Sequence, residues 1–454
     1  MGIKTGIANL SAKATRGVLK LFGKSGTQLT GTVALMIDSE YLKHTKKPDH
    51  LIAVTGTNGK TTTCNMIGDI LELLGHKVLA NRTGSNTKRG IASAFANQMK
   101  GRGQNPDYGV LEEDEIWMRH INEHLNLQTL TVTNLYQDSY DRNANVKFIV
   151  QRINEGIPKG TKLILNASDS ISAYLGNGES ERVYFTIKPL EGEKESKDSK
   201  IQDMVYCPQC EGEIEWIFNR YHHIGEYHCP SCGLTNPEAS YVVTAIDTEA
   251  NVLRLTDHDE EITLPLIHGS IENSYNQLAA YATLRENGFA YEELNEAMGK
   301  IEVVKSRLKQ YTIGNKEVLS VVAKGLNPVA TSRMMSNVGN AEGPRTLIYV
   351  ADYEQRDLPN ATFSWLFDVD YKNLKDVDQI IMYTKYAPNA QLSMVLDGID
   401  PEKITVLDDI NEIVNYIDKD KKEKLFILHD IEDFGFWAAE EVVRDLRKMY
   451  GEEA

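Results

Sequence analysis

The 454-residue chain lacks any apolar run near the ~20 residues needed to cross a bilayer. It also lacks a basic excess: 49 Lys and Arg against 65 Asp and Glu leave a formal net charge of −16. That balance excludes a duplex nucleic-acid binder, whose affinity needs a basic face, and leaves any anionic substrate to a local basic pocket. Cysteine is scarce, at five residues, and no signal peptide is evident, so a reducing cytoplasm is expected. No Ser/His/Asp or Cys/His set stands out in the C-terminal third. What is present is ordinary for a globular protein, 41% hydrophobic and 25% charged, and too long for one core. Two to three domains are expected.

The stretch around which the chain is organised is Leu51-Ile-Ala-Val-Thr-Gly-Thr-Asn-Gly-Lys-Thr-Thr-Thr63. An apolar, β-branched run ends in a glycine-bounded turn, and Lys60 and Thr61 open a helix. The turn is two residues shorter than the full G-x-x-x-x-G-K-[ST] signature, but the mechanics are the same. Gly56, Thr57, Asn58 and Gly59 bring backbone N–H groups to phosphate, Lys60 neutralises the outer phosphates, and Thr61 offers a hydroxyl to Mg²⁺, with Thr62 beside it. An ordinary strand-to-helix turn with a solvated lysine is the plainer alternative. The order strand, loop, helix favours nucleotide phosphate.

Residues 1–47 start with a helix-like stretch, Ile7 to Phe22, carrying Lys13, Arg16 and Lys20 among apolar residues. Packing on its own domain is preferred over contact with an anionic membrane surface. From His50 to Lys188 strand-like runs (Leu51–Val54, Lys77–Leu79, Tyr108–Leu111, Thr129–Thr133, Lys162–Asn166) alternate with helical ones, which predicts a doubly wound, mostly parallel sheet. Ligands of such sheets sit beyond the carboxyl ends of the strands. Glu112, first after its strand, is placed to complete an Mg²⁺ shell with Thr61, while Glu113 to Glu115 read as solvated charges. Asp138 and Asp141 share a helix face and serve metal or substrate, unless Asp138 is a helix cap. The polar loop Asn81–Asn86 is a weaker candidate for lining a cleft. Residues 189–200 read as an exposed linker.

Cys207-Pro-Gln-Cys210 and Cys229-Pro-Ser-Cys232, separated by 18 residues, place four thiolates tetrahedrally around one Zn²⁺. Four cysteines make a closed, structural site in an insert spanning about 202–240, and His222, His223 and His228 read as surface residues. Strand-like runs resume at Tyr241–Ile246, Val252–Leu255 and Glu261–Leu266. A helix then opens with Asn273 and Asn276 three apart, carboxamides able to bond a nucleobase or simply to cap. Beyond a boundary near Leu308–Gly314, residues 309–454 alternate again as a second α/β domain. Cys64 reads as a core residue.

Thr55–Thr61, Glu112, Thr133-Asn134, and Asn273 with Asn276 before Leu-Ala-Ala resemble the central domain of the Mur ligases of peptidoglycan synthesis. The four-cysteine insert, with Asn327-Pro-Val and Ser364-Trp365 further on, narrows the resemblance to the MurT family, the Mur-ligase-like subunits of lipid II isoglutaminyl synthases. The resemblance implies a Mur-ligase central domain (48–308) with a zinc-ribbon insert and a Rossmann-like α/β domain (309–454) that binds a partner. It further implies ATP-dependent amidation of the D-glutamate α-carboxyl of the lipid II stem peptide. ATP, Mg²⁺ and structural Zn²⁺ would serve, with ammonia from a GatD-like glutaminase subunit, in the cytoplasm at the inner face of the membrane. Asn273 and Asn276 would then contact adenine, and Arg307 phosphate or ribose. An acid lent to the partner's Cys–His pair would be Asp357, with Asp352 as the alternative. A stand-alone amide ligase of the Mur or folylpolyglutamate kind and an ATP-binding scaffold are the competing functions.

Overall fold

The computed structural model describes residues 2–23, 28–82, 85–98, 105–137, 145–176, 178–196, 199–301, 308–323, 326–350, 363–430 and 433–452. They fall into two compact units. The first begins with α1 (Ile3–Leu21), α2 (Leu29–Ile37) and α3 (Tyr41–His44). Strands and helices then alternate: β1 (His50–Thr55), α4 (Lys60–Leu73), β2 (Val78–Ala80), α5 (Lys88–Gln98), β3 (Tyr108–Glu112), α6 (Met118–Asn122), β4 (Thr129–Val132), α7 (Val146–Gly156), β5 (Lys162–Asn166) and β6 (Arg182–Ile187). A separate hairpin, β7 (Glu215–Tyr221) and β8 (Ile224–His228), interrupts the series. It is followed by β9 (Tyr241–Asp247), β10 (Val252–Asp257), β11 (Glu260–Pro265), α8 (Ile271–Glu286) and α9 (Tyr291–Met298).

The main sheet has the order β11-β10-β9-β6-β5-β4-β1-β3-β2. It is parallel from β2 through β9, and β10 and β11 close one edge antiparallel. Strand β1 is flanked by β3 and β4, so successive crossovers leave it in opposite directions. That arrangement opens a crevice at the carboxyl end of β1, where the glycine turn begins. Leu51 to Val54 are all buried, as expected for a strand covered on both faces. Leu51, Ala53, Phe95, Leu111, Leu130 and Leu163 share one core.

The second unit carries β12 (Leu308–Ile313), β13 (Lys316–Val322), α10 (Pro328–Asn340), β14 (Arg345–Val350), β15 (Gln379–Tyr383), α11 (Ala387–Leu396), β16 (Ile404–Val406), β17 (Lys424–His429) and α12 (Asp433–Tyr450). Its sheet runs β12-β13-β17-β14-β15-β16. Only the β12–β13 hairpin is antiparallel. Alternate residues of β14 enter separate cores: Leu347 and Tyr349 pack with Trp365, Ile348 and Val350 with Leu446. Helix α10 starts where Asn327 accepts from the Ala330 amide at 2.9 Å and Pro328 fills the first turn.

Three expectations need correction here. Residues Leu308–Ile313, read as part of a boundary, form a paired strand. Several connections of the second unit are 3₁₀ turns (Ser364–Asp368, Tyr371–Leu374, Ile410–Tyr416) where helices were expected. The segment 189–200 is more than a linker. Lys200 belongs to the second unit, its amide donating to Asp370 (2.8 Å) and its ammonium pairing with Asp397 (2.7 Å).

Candidate active site

Strand β1 delivers Gly56 at φ +131° and Gly59 at φ +85°, conformations that favour glycine. Space gives a second reason. A Cβ on Gly56 would collide with Thr133 Oγ1, and one on Gly59 with the Asn276 carboxamide. The turn is therefore pressed between the end of β4 and the start of α8. Asn134 fixes its path: the Asn58 amide donates to Asn134 Oδ1 at 2.9 Å, and Asn134 Nδ2 donates to Asn58 O at 3.0 Å. Thr133 Oγ1 adds a bond to Asn58 O (2.6 Å), and the Thr57 amide donates to Asn134 O (2.8 Å). Helix α8 is capped by Ser270, and Asn276 Nδ2 reaches Asn273 Oδ1 at 3.4 Å. Asn273 and Asn276 thus stand on the first two turns of a helix, with Asn276 against Gly59.

Lys60 is buried, and its ammonium bonds Gly56 O and pairs with Glu115 Oε1 at 2.9 Å. Glu112 is the last residue of β3. Asn81 brackets its main chain, accepting from Glu112 N and donating to Glu112 O, both at 2.8 Å. Asn86 Nδ2 donates to Glu112 Oε1 at 3.1 Å. Asn81 and Asn86 therefore hold the acidic strand end in place.

The run Glu113–Glu115 is not solvated, contrary to expectation: Glu113, Asp114 and Glu115 are all buried. Glu113 N donates to Val54 O (2.9 Å) and Asp114 N to Asn86 O (3.1 Å), so main-chain bonds draw the acidic run inward. The Glu113 carboxylate accepts from Asn122 Nδ2 at 3.0 Å, while its Oε1 has no partner. Burial pushes its pKa up to about 8. Burial also raises the Cys64 thiol well above its ordinary value, as befits a core cysteine.

His222 and His223, expected at the surface, are buried at the tip of the β7–β8 hairpin, whereas His228 is partly exposed beside Glu215. His223 Nε2 lies 3.3 Å from Asp169 Oδ1, and its Nδ1 lies 3.7 Å from Asp203. Desolvation opposes the charged imidazolium, yet the neighbouring Asp169 and Asp203 leave its pKa raised. Asp169 Oδ2 accepts from the Leu135 amide at 2.7 Å. The Tyr136 ring packs on His223 with centroids 4.7 Å apart, and Tyr136 N donates to Thr57 Oγ1 at 2.9 Å. A continuous chain of contacts thus joins the hairpin tip to the glycine turn. Arg220 anchors the same hairpin, bonding Glu193 (2.5 Å), Ile187 O (3.0 Å) and Tyr275 OH (2.5 Å). No spacing rule marks Thr133, Asn134, Asp169 or His223; only the strand-end position of Thr133-Asn134 signals a site.

At the hairpin's other end the four cysteine Sγ atoms lie within 4.8 Å of one another. Cys207–Cys232 and Cys210–Cys229 separations are 3.6 and 3.5 Å. A tetrahedral Zn²⁺ at ~2.3 Å from each sulfur sets its ligands about 3.8 Å apart, so the thiol set fits zinc. Asp138, Asp141, Arg307, Asp352 and Asp357 lie outside the described residues.

Residues 54–219 match the Mur ligase middle domain family, and residues 325–431 match the MurT ligase C-terminal family. Lipid II isoglutaminyl synthase (glutamine-hydrolyzing) subunit MurT of Staphylococcus aureus (strain COL) is 31% identical over 398 residues, 87% of each chain. The chain belongs to the MurT family. The MurT subunit of Streptococcus pneumoniae is 27% identical over 94% of this chain and 95% of its own. In fold, the chain is similar to a pseudomurein peptide ligase type C from Methanothermus fervidus. That structure superposes with a TM-score of 0.67 at 20% identity, covering 90% of this chain and 80% of its own.

Proposed function

We propose that this chain is the synthetase subunit of a lipid II isoglutaminyl synthase, amidating the α-carboxyl of D-glutamate in the stem peptide with ATP. The observation that carries the reading is the glycine turn at the sheet's switch point, with Lys60 buried at its heart, in a chain similar to MurT subunits over most of its length. The substrate carboxylate attacks the γ-phosphorus of ATP, ADP leaves, and an acyl phosphate forms. Ammonia then attacks the acyl carbon, phosphate leaves with the C–O bond, and one proton is lost to give the primary amide.

The turn amides and Lys60 would hold the β- and γ-phosphates, where charge spreads as the phosphoryl group moves. Thr61 and Glu112 would hold Mg²⁺, which supplies further neutralisation when bound. Asn276 stands against Gly59 and bonds Asn273, so a nucleotide laid over the turn would meet this pair. The four-cysteine site is structural, since four thiolates leave no position for water. Ammonia would come from a GatD-like glutaminase subunit bound by the second unit, at the cytoplasmic face of the membrane. The test supplies lipid II, ATP and ammonium, or glutamine with the partner subunit, and reads the stem peptide by mass spectrometry. Replacement of OH by NH₂ is expected, and Lys60→Ala should lower the rate at least about a hundredfold. Incorporation of an amino acid in place of ammonia would overturn the reading.

A further inference from the structure

Helix α1 packs with its less apolar side inward. Thr5, Ala8 and Ala12 are buried, and Ala8 and Ala12 join the core of the first unit. Polar bonds fasten the same side: Thr5 Oγ1 donates to Asp38 (3.0 Å), Tyr41 OH to Asn9 (2.5 Å), and Arg16 to Asn97 O (3.4 Å). The opposite face, Ile3, Ile7, Leu10, Ala14, Val18 and Leu21, recurs every three to four residues and so forms one continuous stripe. That stripe is left in water, with Ile3 87%, Leu10 72% and Leu21 85% exposed, and Phe22 just beyond the helix 75% exposed. Hydrophobic burial within the unit does not explain it, because the small residues already fill the helix interface.

The charges beside the stripe say what covers it. At 3.6 residues per turn, Lys13 and Lys20 fall along one margin and Lys4 along the other. No acidic residue lies between Ile3 and Leu21, in a chain whose net charge is −16. An apolar stripe with cationic margins is the pattern of a helix lying in the plane of an anionic bilayer surface, its stem below the headgroups and its ammonium groups among the phosphates. A protein partner would not require lysines on both margins.

We propose that α1 is an interfacial membrane-docking helix that seats the first unit on anionic lipid. Among the described residues no helix is long and apolar enough to cross a membrane, so the attachment is peripheral and reversible. Docking depends on the helix and its charges alone and holds whatever reaction the glycine turn serves. For a lipid-linked substrate it would turn a search through solution into a search over a surface.

The full chain is sedimented with large unilamellar vesicles of phosphatidylglycerol and phosphatidylcholine in equal parts, and with phosphatidylcholine alone. Binding to the anionic vesicles is expected to exceed binding to the neutral ones by about tenfold or more and to weaken with salt. Leu10→Ser with Leu21→Ser, and separately Lys13→Glu with Lys20→Glu, should each lower it by about tenfold or more. These positions are exposed, so unchanged circular dichroism is expected. Equal partitioning of parent and variants, no sedimentation at all, or a dimer that the Leu10→Ser/Leu21→Ser variant dissolves would each overturn membrane docking. Amidation of detergent-solubilised lipid II should be untouched by all four substitutions, which separates this result from the ligase reading.

Discussion

Glu113→Gln is expected to change how stability depends on pH. The Glu113 carboxylate is fully buried, one oxygen meets only the Asn122 amide, and burial raises its pKa from 4.5 to about 8. Between those values the native state keeps the proton that the unfolded chain has released. The unfolded state therefore binds fewer protons, and stability falls as pH rises through the window and levels off above about 8. At roughly 1.4 kcal/mol per unit the full effect is on the order of 5 kcal/mol. Gln keeps an oxygen for Asn122 and removes the titration. Urea unfolding at closely spaced pH should give Gln and parent curves that nearly coincide at pH ~5 and diverge toward pH ~8, with Gln the more stable by a few kcal/mol. Parallel curves would refute the buried, protonated Glu113. The consequence for catalysis is that Glu113, though next to Glu112, is mostly protonated at neutral pH and adds little charge of its own.

Cys229→Ser should lower bound zinc from about one ion per chain to near none and raise hydrogen exchange across β7 and β8; parent protein free of zinc would contradict the site. His223→Ala should raise KM for ATP about fivefold with a smaller change in kcat, since it supports Asp169 and Tyr136 behind the turn and touches no phosphate. A lower kcat at constant KM would instead mean a smaller folded fraction. Asp357→Asn should depress glutamine-driven amidation and spare the ammonium-driven reaction; equal loss of both would remove it as the acid lent to the partner's glutaminase.

The central crevice was legible because its signals are local. Leu51–Val54 is a short apolar run buried on both faces, and Gly56 and Gly59 mark a turn only glycine fits. The four cysteines were legible for the same reason, as ligand spacing is a property of the sequence alone. Glu113, Asp114 and Glu115 misled because a run of acids reads as solvated. Their burial depends on Val54, Asn86, Asn122 and Lys60, residues brought there by other strands and helices. His223 was missed because its role arises from a hairpin folding back on Asp169, 54 positions earlier. In α1 the apolar period was visible, but the side packed inward was set by Ala8 and Ala12, whose small size permits close approach to neighbouring helices.

The most direct test is a crystal structure of the chain with Mg²⁺ and a non-hydrolysable ATP analogue. The β- and γ-phosphates should lie on the amides of Gly56–Thr61 with Lys60 Nζ turned from Glu115 to the γ-phosphate. Phosphates bound elsewhere, or Lys60 still locked on Glu115 beside an empty turn, would contradict the account.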